Sequence, residues 1–314
     1  MNLREALQHH QRQLWAIAYR MTGSASDADD VVQEVWVRGL ARPPRDLGAP
    51  LGGWLRTVAL NVARDTLRRR RRRPYDGPWL PTPIEDSAAL VPDDLPDAEA
   101  RYSLHESATF AFLLALEALS PRERAALLLA DVLDADTAEV ARALKVTRSN
   151  AKVIVHRARK KMAAYDKHRC VPTAERVEAT STALMRFLAA AQSGDSAELV
   201  AVLADDVRFT ADSGGRVVGA RKVVVGRDAV AKLQMGLLAK GGNVIAVTFT
   251  NVNGLPAIVA AVAPPTARHP RLTCVLVDLD EQGRIGEVRY VLHPDKLTRV
   301  TDPARSALTI VGGD

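Results

Sequence analysis

Lysine and arginine side chains are concentrated in two blocks in the first half of this 314-residue chain. The first block runs from Arg64 to Arg73 and contains seven arginines and one acid. The second block, residues 142–169, contains ten lysines and arginines and one acid. Between them, residues 74–106 hold eight acids and one base. Two separate basic blocks predict two contacts with a polyanion such as nucleic acid, although solvated helix faces stay an alternative for each block alone.

The composition limits the class of protein. The chain has a net charge of +6 and is 47% hydrophobic, which is enough apolar material for packed cores in about two domains of ~150 residues. No apolar run approaches the roughly 20 residues that cross a bilayer, and the first residues, MNLREALQHH, lack the layout of a secretory signal. Cys170 and Cys274 are the only cysteines and do not have metal-type spacing. We therefore expect a cytoplasmic protein without a metal or other cofactor.

Helical periodicity extends over the first half of the chain. Residues 5–73 predict three or four helices, one of them capped by Ser26 and carrying Leu40 on its buried side. Residues 104–119 predict another helix, and the string Ser120-Pro121-Arg122-Glu123 is a capping box that starts the next.

The second basic block has the pattern of a helix-turn-helix. A short helix begins near Asp136, and after a tight turn Thr147 caps a second helix. The spacing of the apolar residues on that helix predicts a buried face and an opposite basic face, as in DNA-binding helices. The predicted buried residues are Ala151, Val155, Ala158 and Met162.

The predicted secondary structure changes at about residue 174, where strands begin to appear together with helices. Two predicted helices, residues 174–192 and 195–204, precede a series of strand-like runs with one further helix, and this order favours a curved α+β sheet. The predicted elements are strands at Val207–Thr210, Arg216–Val225, Val244–Thr250, Ala257–Val262, Leu272–Asp280 and Ile285–Leu292, and a helix at Asp228–Leu238.

Residues 74–103 contain six prolines and no sustained periodicity, which predicts a linker. Within it, Pro78-Trp79-Leu80-Pro81 presents a tryptophan between prolines. Such a string predicts a preformed extended segment that docks elsewhere on the protein. The alternative is that Trp79 packs on its own domain.

Two parts of the chain resemble regions two and four of extracytoplasmic-function sigma factors, the promoter-recognition subunits of bacterial RNA polymerase. The strings LWAIAYRMTGSASDADDVVQEVWVR and GWLRTVALNVARDTLRRRRR carry the first resemblance, and LEALSPRERAALLL through VIVHRARKKM carry the second. The C-terminal half resembles a SnoaL-like domain of the NTF2-like fold in SGDSAELVAVLADDVRFTADSGG and VGRDAV. Three short strings, WLP, DSGGR and HPDKL, are similar to those of the sigma-factor group with a fused SnoaL-like extension.

This resemblance implies a multi-domain protein with two all-α sigma domains followed by an α+β NTF2-like cone. Residues 1–73 would form the region 2 helical bundle and residues 104–168 the region 4 helix-turn-helix domain. Residues 74–103 would be the proline-rich acidic linker between them. Residues 174–302 would form the SnoaL-like domain, followed by a tail, residues 303–314.

The resemblance also implies roles for individual residues. The surface that docks on the polymerase would include Asp30, Gln33 and Glu34. Asn61 would read a base of the minus-ten element, and phosphates would be held by Arg64, Arg68, Arg69 and Arg70. The minus-thirty-five element would be contacted by Arg148, Ser149, Asn150, Lys152, His156 and Arg157. The interdomain regulatory contacts would be made by Trp79, Leu80, Pro81, Asp212, Gly214, Gly215, Arg216, His293, Pro294, Asp295 and Lys296.

The function implied is that of an alternative sigma factor that binds core RNA polymerase and promoter DNA as a monomer when free, with activity set in cis by the C-terminal domain. We expect no catalysis. An alternative is an NTF2-like enzyme or ligand-sensing module fused to DNA-binding helices, with Asp212 and His293 as acid/base groups and a small ligand in the C-terminal domain. A ligand-responsive repressor fits the helix-turn-helix but leaves residues 11–73 unexplained.

Overall fold

The structure, a computed structural model, describes residues 2–44, 51–85, 87–92, 100–240 and 242–305. Two compact units form, one from Met1–Pro74 and Asp86–Val171 and the other from Tyr75–Glu85 and Pro172–Asp314. The proline-rich segment predicted as a linker is therefore shared between units, because its residues 75–85 pack with the C-terminal half. Among the described residues, no helix combines the length and the hydrophobicity needed to span a membrane.

The described part of the first unit contains helices and no strands and begins with a four-helix bundle, in agreement with the predicted region 2. Its helices are α1 Leu3–His9, α2 Gln11–Thr22, α3 Ala25–Ala41 and α4 Gly52–Arg70.

The start of α3 differs from the prediction by two residues. Ser24, not Ser26, is the cap, and its hydroxyl accepts a hydrogen bond from the Asp27 amide at 3.2 Å. Gly23 explains the difference, since it ends α2 in the left-handed conformation at φ 65° and turns the chain one residue before Ser24.

The rest of the first unit contains the helix-turn-helix. The helices in chain order are α5 Ser87–Leu90, α6 Phe110–Ala115, α7 Pro121–Leu127, α8 Thr137–Leu144 and α9 Arg148–Lys167. The continuous helix predicted over residues 104–119 is interrupted, because Thr109 is extended and its side chain caps α6 instead. The caps predicted at Ser120 and Thr147 are both present.

The buried face of α9 is shifted from the predicted one at a single position. Ile154 is 8% exposed and joins Ala151, Ala158 and Met162 in the core, while Val155 is half-buried. Both residues satisfy a spacing of three or four from their neighbours, so the sequence periodicity alone does not distinguish them.

The second unit is an α+β fold, as predicted. Its sheet has the strand order β2-β1-β6-β5-β4-β3, in which β1 and β6 are parallel and all other neighbours are antiparallel. Apolar side chains of the helices, such as Leu184 and Phe187, share one core with those of the sheet, such as Phe209 and Val288. The elements are α10 Ala174–Ser193, α11 Ser196–Val202, β1 Leu203–Asp212, β2 Val224–Val225, α12 Arg227–Lys240, β3 Asn243–Val252, β4 Leu255–Ala263, β5 Leu272–Leu279 and β6 Ile285–Val291.

One predicted strand of this unit is wrong over most of its length. The prediction covered Arg216–Val225, but only Val224–Val225 pair with β1. The Arg216 amide donates to the Ser213 carbonyl in a turn, and Gly214 and Gly215 both have positive φ. The chain therefore leaves the sheet in an irregular loop before it returns for two residues.

The cap of α9 gives a stability prediction. Thr147→Ala removes the hydroxyl that accepts from the Asn150 amide at 3.2 Å, so we expect the free energy of unfolding to fall by about 1 kcal/mol. Urea denaturation of the full chain, followed through the transition of the first unit, measures this loss. Ser149→Ala is the matched control, since Ser149 is exposed within the first turn of α9. Equal stability of the two variants would contradict the assigned cap.

Candidate functional site

The N-terminal half of α9 presents the predicted DNA-contacting side chains together. Arg148, Ser149, Asn150, Lys152, His156 and Arg157 are all exposed. Some of them continue into a surface groove between α8 and α9, which is also lined by Asp136, Thr137 and Ala138. Cationic groups suit phosphates, and short amide, hydroxyl and imidazole groups suit base edges, so this face has the chemistry of a nucleic-acid surface.

The C-terminal half of α9 has a different use. Arg159 forms hydrogen bonds at 2.6 and 3.0 Å with the carboxylate of Asp131, which is only 1% exposed, and these bonds raise the pKa of Arg159. Lys161 donates to Glu123 at 2.7 Å. These two ion pairs hold α9 against α7 and against the residues that follow α7. The basic block is thus divided between an anchoring half and an exposed half.

The arginine block at the end of α4 is divided in the same way. Arg68 and Arg69 are exposed and Arg64 is half-buried, as a phosphate-contacting set requires. Arg70, in contrast, donates to the Thr22 carbonyl at 2.6 Å and to Glu117 at 3.3 Å. Arg70 therefore makes intramolecular bonds in this structure, and its phosphate contact stays a prediction.

Asn61, the predicted base reader, lies half-buried on α4. Its amide nitrogen donates to the carbonyl of Thr57 one turn earlier, at 2.9 Å. This bond orients the side chain and leaves the amide oxygen as the atom that can accept a hydrogen bond from a base.

The end of α4 and the start of α7 are joined through a buried cation. Arg124 is 1% exposed and donates to the Met21 carbonyl at 2.9 Å, the Leu116 carbonyl at 2.7 Å and Glu117 at 2.7 Å. Burial lowers the pKa of Arg124, while the Glu117 carboxylate opposes that shift. Since Glu117 also accepts from Arg70, the four-helix bundle and the helices that follow it are packed together through one charged cluster.

The predicted polymerase-binding residues lie on the outer face of α3. Asp30 and Gln33 are exposed, and Glu34 pairs with Arg38 at 2.6 Å. Val37 is 61% exposed and Leu40 is 47% exposed, which corrects the prediction that Leu40 faces inward. The spacing of residues 30, 33, 37 and 40 places them on one side of the helix. The resulting stripe combines acidic and apolar groups, and its apolar part was missed by the sequence analysis.

In the second unit, a single buried carboxylate binds groups from two other segments of the chain. Asp212, which is fully buried at the end of β1, accepts hydrogen bonds from the Tyr75 hydroxyl at 2.5 Å and the Leu80 amide at 2.7 Å. The ammonium group of Lys296 lies 2.5 Å from the same carboxylate. Lys296 also donates to the Leu80 carbonyl at 2.6 Å and stands 4.7 Å from the centroid of the Trp79 ring. The strings that contain Trp79, Asp212 and Lys296 thus meet at one point.

The two glycines of the DSGGR string allow close approach of neighbouring groups. At Gly214, with φ 54°, a Cβ atom would collide with the His293 ring, and at Gly215 it would stand 2.6 Å from the Asp76 carboxylate. His293 accepts from the Asp295 amide at 3.2 Å through Nδ1, while burial lowers the pKa of its imidazole. Neutral His293 is the form that can accept this bond.

The remaining residues of the predicted regulatory set surround this contact. Pro81 is buried, and Pro294 follows His293 in the 3-10 helix Pro294–Arg299. Arg216 lies 3.8 Å from Asp295 in a solvent-exposed ion pair, so this pair contributes little to stability.

The segment that packs with the second unit, residues 75–85, is longer than the predicted docking string Pro78-Trp79-Leu80-Pro81. We call residues 75–85 the docked segment. Ile84 and Asn253 form two hydrogen bonds. The Ile84 amide donates to the side-chain oxygen of Asn253, and the Ile84 carbonyl accepts from the Asn253 amide, both at 2.9 Å. Glu85 accepts from the Thr250 hydroxyl at 2.7 Å and the Thr301 amide at 2.6 Å. No feature singled out in the sequence analysis predicts these contacts.

Both carboxylate oxygens of Asp212 are engaged in hydrogen bonds within the protein. One carboxylate oxygen accepts from Tyr75 and the other from Leu80 and Lys296. A general base needs an oxygen that faces a substrate, whereas both oxygens here face the protein's own donors. Within the described ranges, no group of three or more His, Cys, Asp or Glu residues is arranged to hold a metal ion.

Two parts of the first unit match known family models. Residues 6–73 match the model of sigma-70 region 2, and residues 109–162 match that of sigma-70 region 4. The all-α unit is therefore built from the two regions that define sigma factors.

Relatives that extend over almost the whole chain define the group more narrowly. The chain is 32% identical over 302 residues to the ECF RNA polymerase sigma factor SigJ of Mycobacterium tuberculosis, covering 94% of this chain and 92% of that protein. It is 28% identical to the probable ECF RNA polymerase sigma factor SigI of the same species, covering 95% and 94%. The crystal structure of SigJ matches with a TM-score of 0.72 at 28% identity, covering 95% of this chain and 99% of that one. The chain belongs to the extracytoplasmic-function RNA polymerase sigma factors.

The hydrogen bonds of Asp212 predict which substitution releases the docked segment, residues 75–85. Asp212→Asn leaves Lys296 without its counter-charge, and breaking a buried pair of this kind costs about 3 kcal/mol or more. We expect amide hydrogen exchange in the peptide 75–85 to become about a hundredfold faster, because each 1.36 kcal/mol corresponds to a factor of ten.

Asp295→Asn is the matched control for this measurement. It removes the same charge from an ion pair that is more than half exposed and 3.8 Å long, so exchange in residues 75–85 should change by less than about fivefold. Similar exchange in the two variants would show that Asp212 does not hold the segment.

Proposed function

We propose that this sigma factor binds core RNA polymerase through the outer face of α3, reads promoter DNA with α4 and α9, and is regulated in cis by its second unit. The observation that carries the regulatory part is the buried carboxylate of Asp212, which binds a segment that lies in the chain between the two sigma regions.

The exposed half of α9 supports recognition of a double-stranded promoter element. Lys152, His156 and Arg157 point to solvent from a helix whose first turn carries Arg148 and Ser149. A helix of this kind enters the major groove with its N-terminal residues at the base edges, while its arginines and lysines hold phosphates. Its neighbour α8 would then lie across the DNA backbone.

The stripe on α3 supports docking on the polymerase. Asp30 and Gln33 offer polar and acidic groups, and Val37 and Leu40 offer apolar area that is unusual on a solvated helix face. A basic partner surface with an apolar centre fits this combination, because the charges would speed association and the apolar groups would add affinity.

Regulation in cis follows from the position of residues 75–85 in the chain. The segment begins five residues after α4 ends, and its bonds to Asp212, Asn253 and Thr250 all lead into the second unit. Any change that alters these bonds changes the freedom of the connection between region 2 and region 4. The second unit would thereby set how readily the two regions adopt the arrangement that promoter binding needs.

Catalysis forms no part of this function. The acid/base pair of the enzyme alternative, Asp212 and His293, is engaged with Tyr75, Leu80, Lys296 and the Asp295 amide, which supports a regulatory contact in its place. We further propose that the free protein is a monomer in the cytoplasm, where core polymerase and promoter DNA are found.

Run-off transcription with core RNA polymerase tests the promoter-reading role. On a template from upstream of the protein's own gene, we expect Lys152→Ala to lower promoter-directed transcript by about tenfold, since a lost groove or phosphate contact costs about 1–3 kcal/mol. Lys167→Ala is the control, because Lys167 is an exposed lysine at the far end of the same helix. Equal transcript from the two variants, or none from the unmodified chain, would contradict the proposal.

A further inference from the structure

The sheet of the second unit has two chemically different ends. Because β1 and β6 are parallel and β5 is antiparallel to both, the last residues of β1 and β6 lie beside the first residues of β5. Two loops leave the sheet at this end, residues 213–223 after β1 and residues 264–271 between β4 and β5, and the chain after β6, with Asp295 and Lys296, leaves beside them. We call the surface formed by these two loops the basic end.

The two loops of the basic end carry an excess of positive charge. The loops of the basic end contain five cationic residues and no acid, namely Arg216, Arg221, Lys222, Arg268 and Arg271. At the opposite end, Asp205 and Asp206 lie near the start of β1, and the turn between β5 and β6 contains Asp280, Glu281 and Arg284, of which Arg284 pairs with Asp205 and Asp280. The second unit as a whole is nearly neutral, with 16 lysines and arginines and 15 acids in residues 171–314, so the cations of these two loops are a local excess of positive charge.

Hydrogen bonds hold the two loops of the basic end next to each other. The Val218 amide donates to the Arg268 carbonyl at 2.7 Å. The Thr266 hydroxyl accepts from the Arg268 amide at 3.3 Å and bonds the His269 ring at 2.8 Å. The Arg271 carbonyl accepts from the Val262 amide at 2.9 Å, which fixes the return into β5. The arginines therefore extend from a folded loop pair.

Three of the five cations keep their charge available to a partner. Arg221 pairs with Asp76 at 2.7 Å, and Arg216 lies 3.8 Å from Asp295. Lys222, Arg268 and Arg271 are exposed, and none of the carboxylates in the described part of the chain forms an ion pair with them. Exposed like charges on adjacent loops repel one another unless an anionic partner neutralises them.

We propose that the basic end binds the phosphate backbone of duplex DNA without reading its sequence. Four of its five cations are arginines, whose guanidinium groups bind phosphate oxygens in pairs. The chain belongs to a family that acts on promoter DNA, so DNA held by α4 and α9 would be presented to the second unit at high effective concentration. An acidic protein surface is the competing partner, and the experiment separates the two.

The salt dependence of DNA binding tests this proposal on the full chain. The probe is a fluorescent duplex of random sequence, and the double variant Arg268→Gln, Arg271→Gln removes two of the three unpaired cations. Because the slope of log K against log salt changes by about 0.9 for each phosphate contact, we expect a slope shallower by about 2. The matched control, Arg186→Gln, Lys232→Gln, removes the same charge from exposed positions on α10 and α12 and should keep the original slope.

Two results would overturn the proposal. The first is the same slope for both double variants, or a full chain that does not bind the duplex even at low salt. The second is an unchanged slope with weaker binding to core polymerase, which would assign the basic end to a protein partner. All four substituted side chains are exposed, and equal thermal unfolding temperatures of the two double variants would show that misfolding is not the cause of a difference.

Discussion

The arrangement of the second unit depends on the burial of one charge. A carboxylate removed from water is strongly destabilising unless it is paired and hydrogen-bonded. Asp212 meets this requirement through Lys296, the Tyr75 hydroxyl and the Leu80 amide, and the last two belong to the segment 75–85. The fold of the C-terminal half is therefore complete only when that segment is in place. A stretch of chain that joins two sigma regions becomes part of a third domain.

In the first unit, buried arginines hold separate parts of the fold together. Arg20 is 1% exposed and donates to the Ser107 hydroxyl at 2.8 Å and the Leu104 carbonyl at 2.7 Å, and burial lowers its pKa to about 10. Together with Arg70, which donates to Glu117, and Arg124, which donates to the Met21 carbonyl, it joins the region 2 bundle to the part of the unit that contains region 4. Basic residues of this protein therefore fall into two groups. One group stabilises the packed units, and the other stays exposed at the surface, where we propose that it contacts DNA.

Features that depend on neighbours in the sequence could be predicted, and those that depend on distant partners could not. The caps at Ser120 and Thr147 follow from local spacing and are confirmed, as is the α+β class. The buried side of α9 was predicted wrongly at Val155, where Ile154 fits the same period. The contacts of Glu85 with Thr250 and Thr301 join residues far apart in the chain, and no periodic pattern contains them.

The most direct test of regulation in cis compares two quantities in one set of variants. Amide exchange in residues 75–85 and the rate of promoter-directed transcription would be measured for Asp212→Asn, Lys296→Met, Tyr75→Phe and the control Asp295→Asn. If the second unit acts through the docked segment, the transcription rate changes in one direction and in the same order as the release of the segment. Variants that release the segment and leave the transcription rate unchanged would contradict regulation through Asp212.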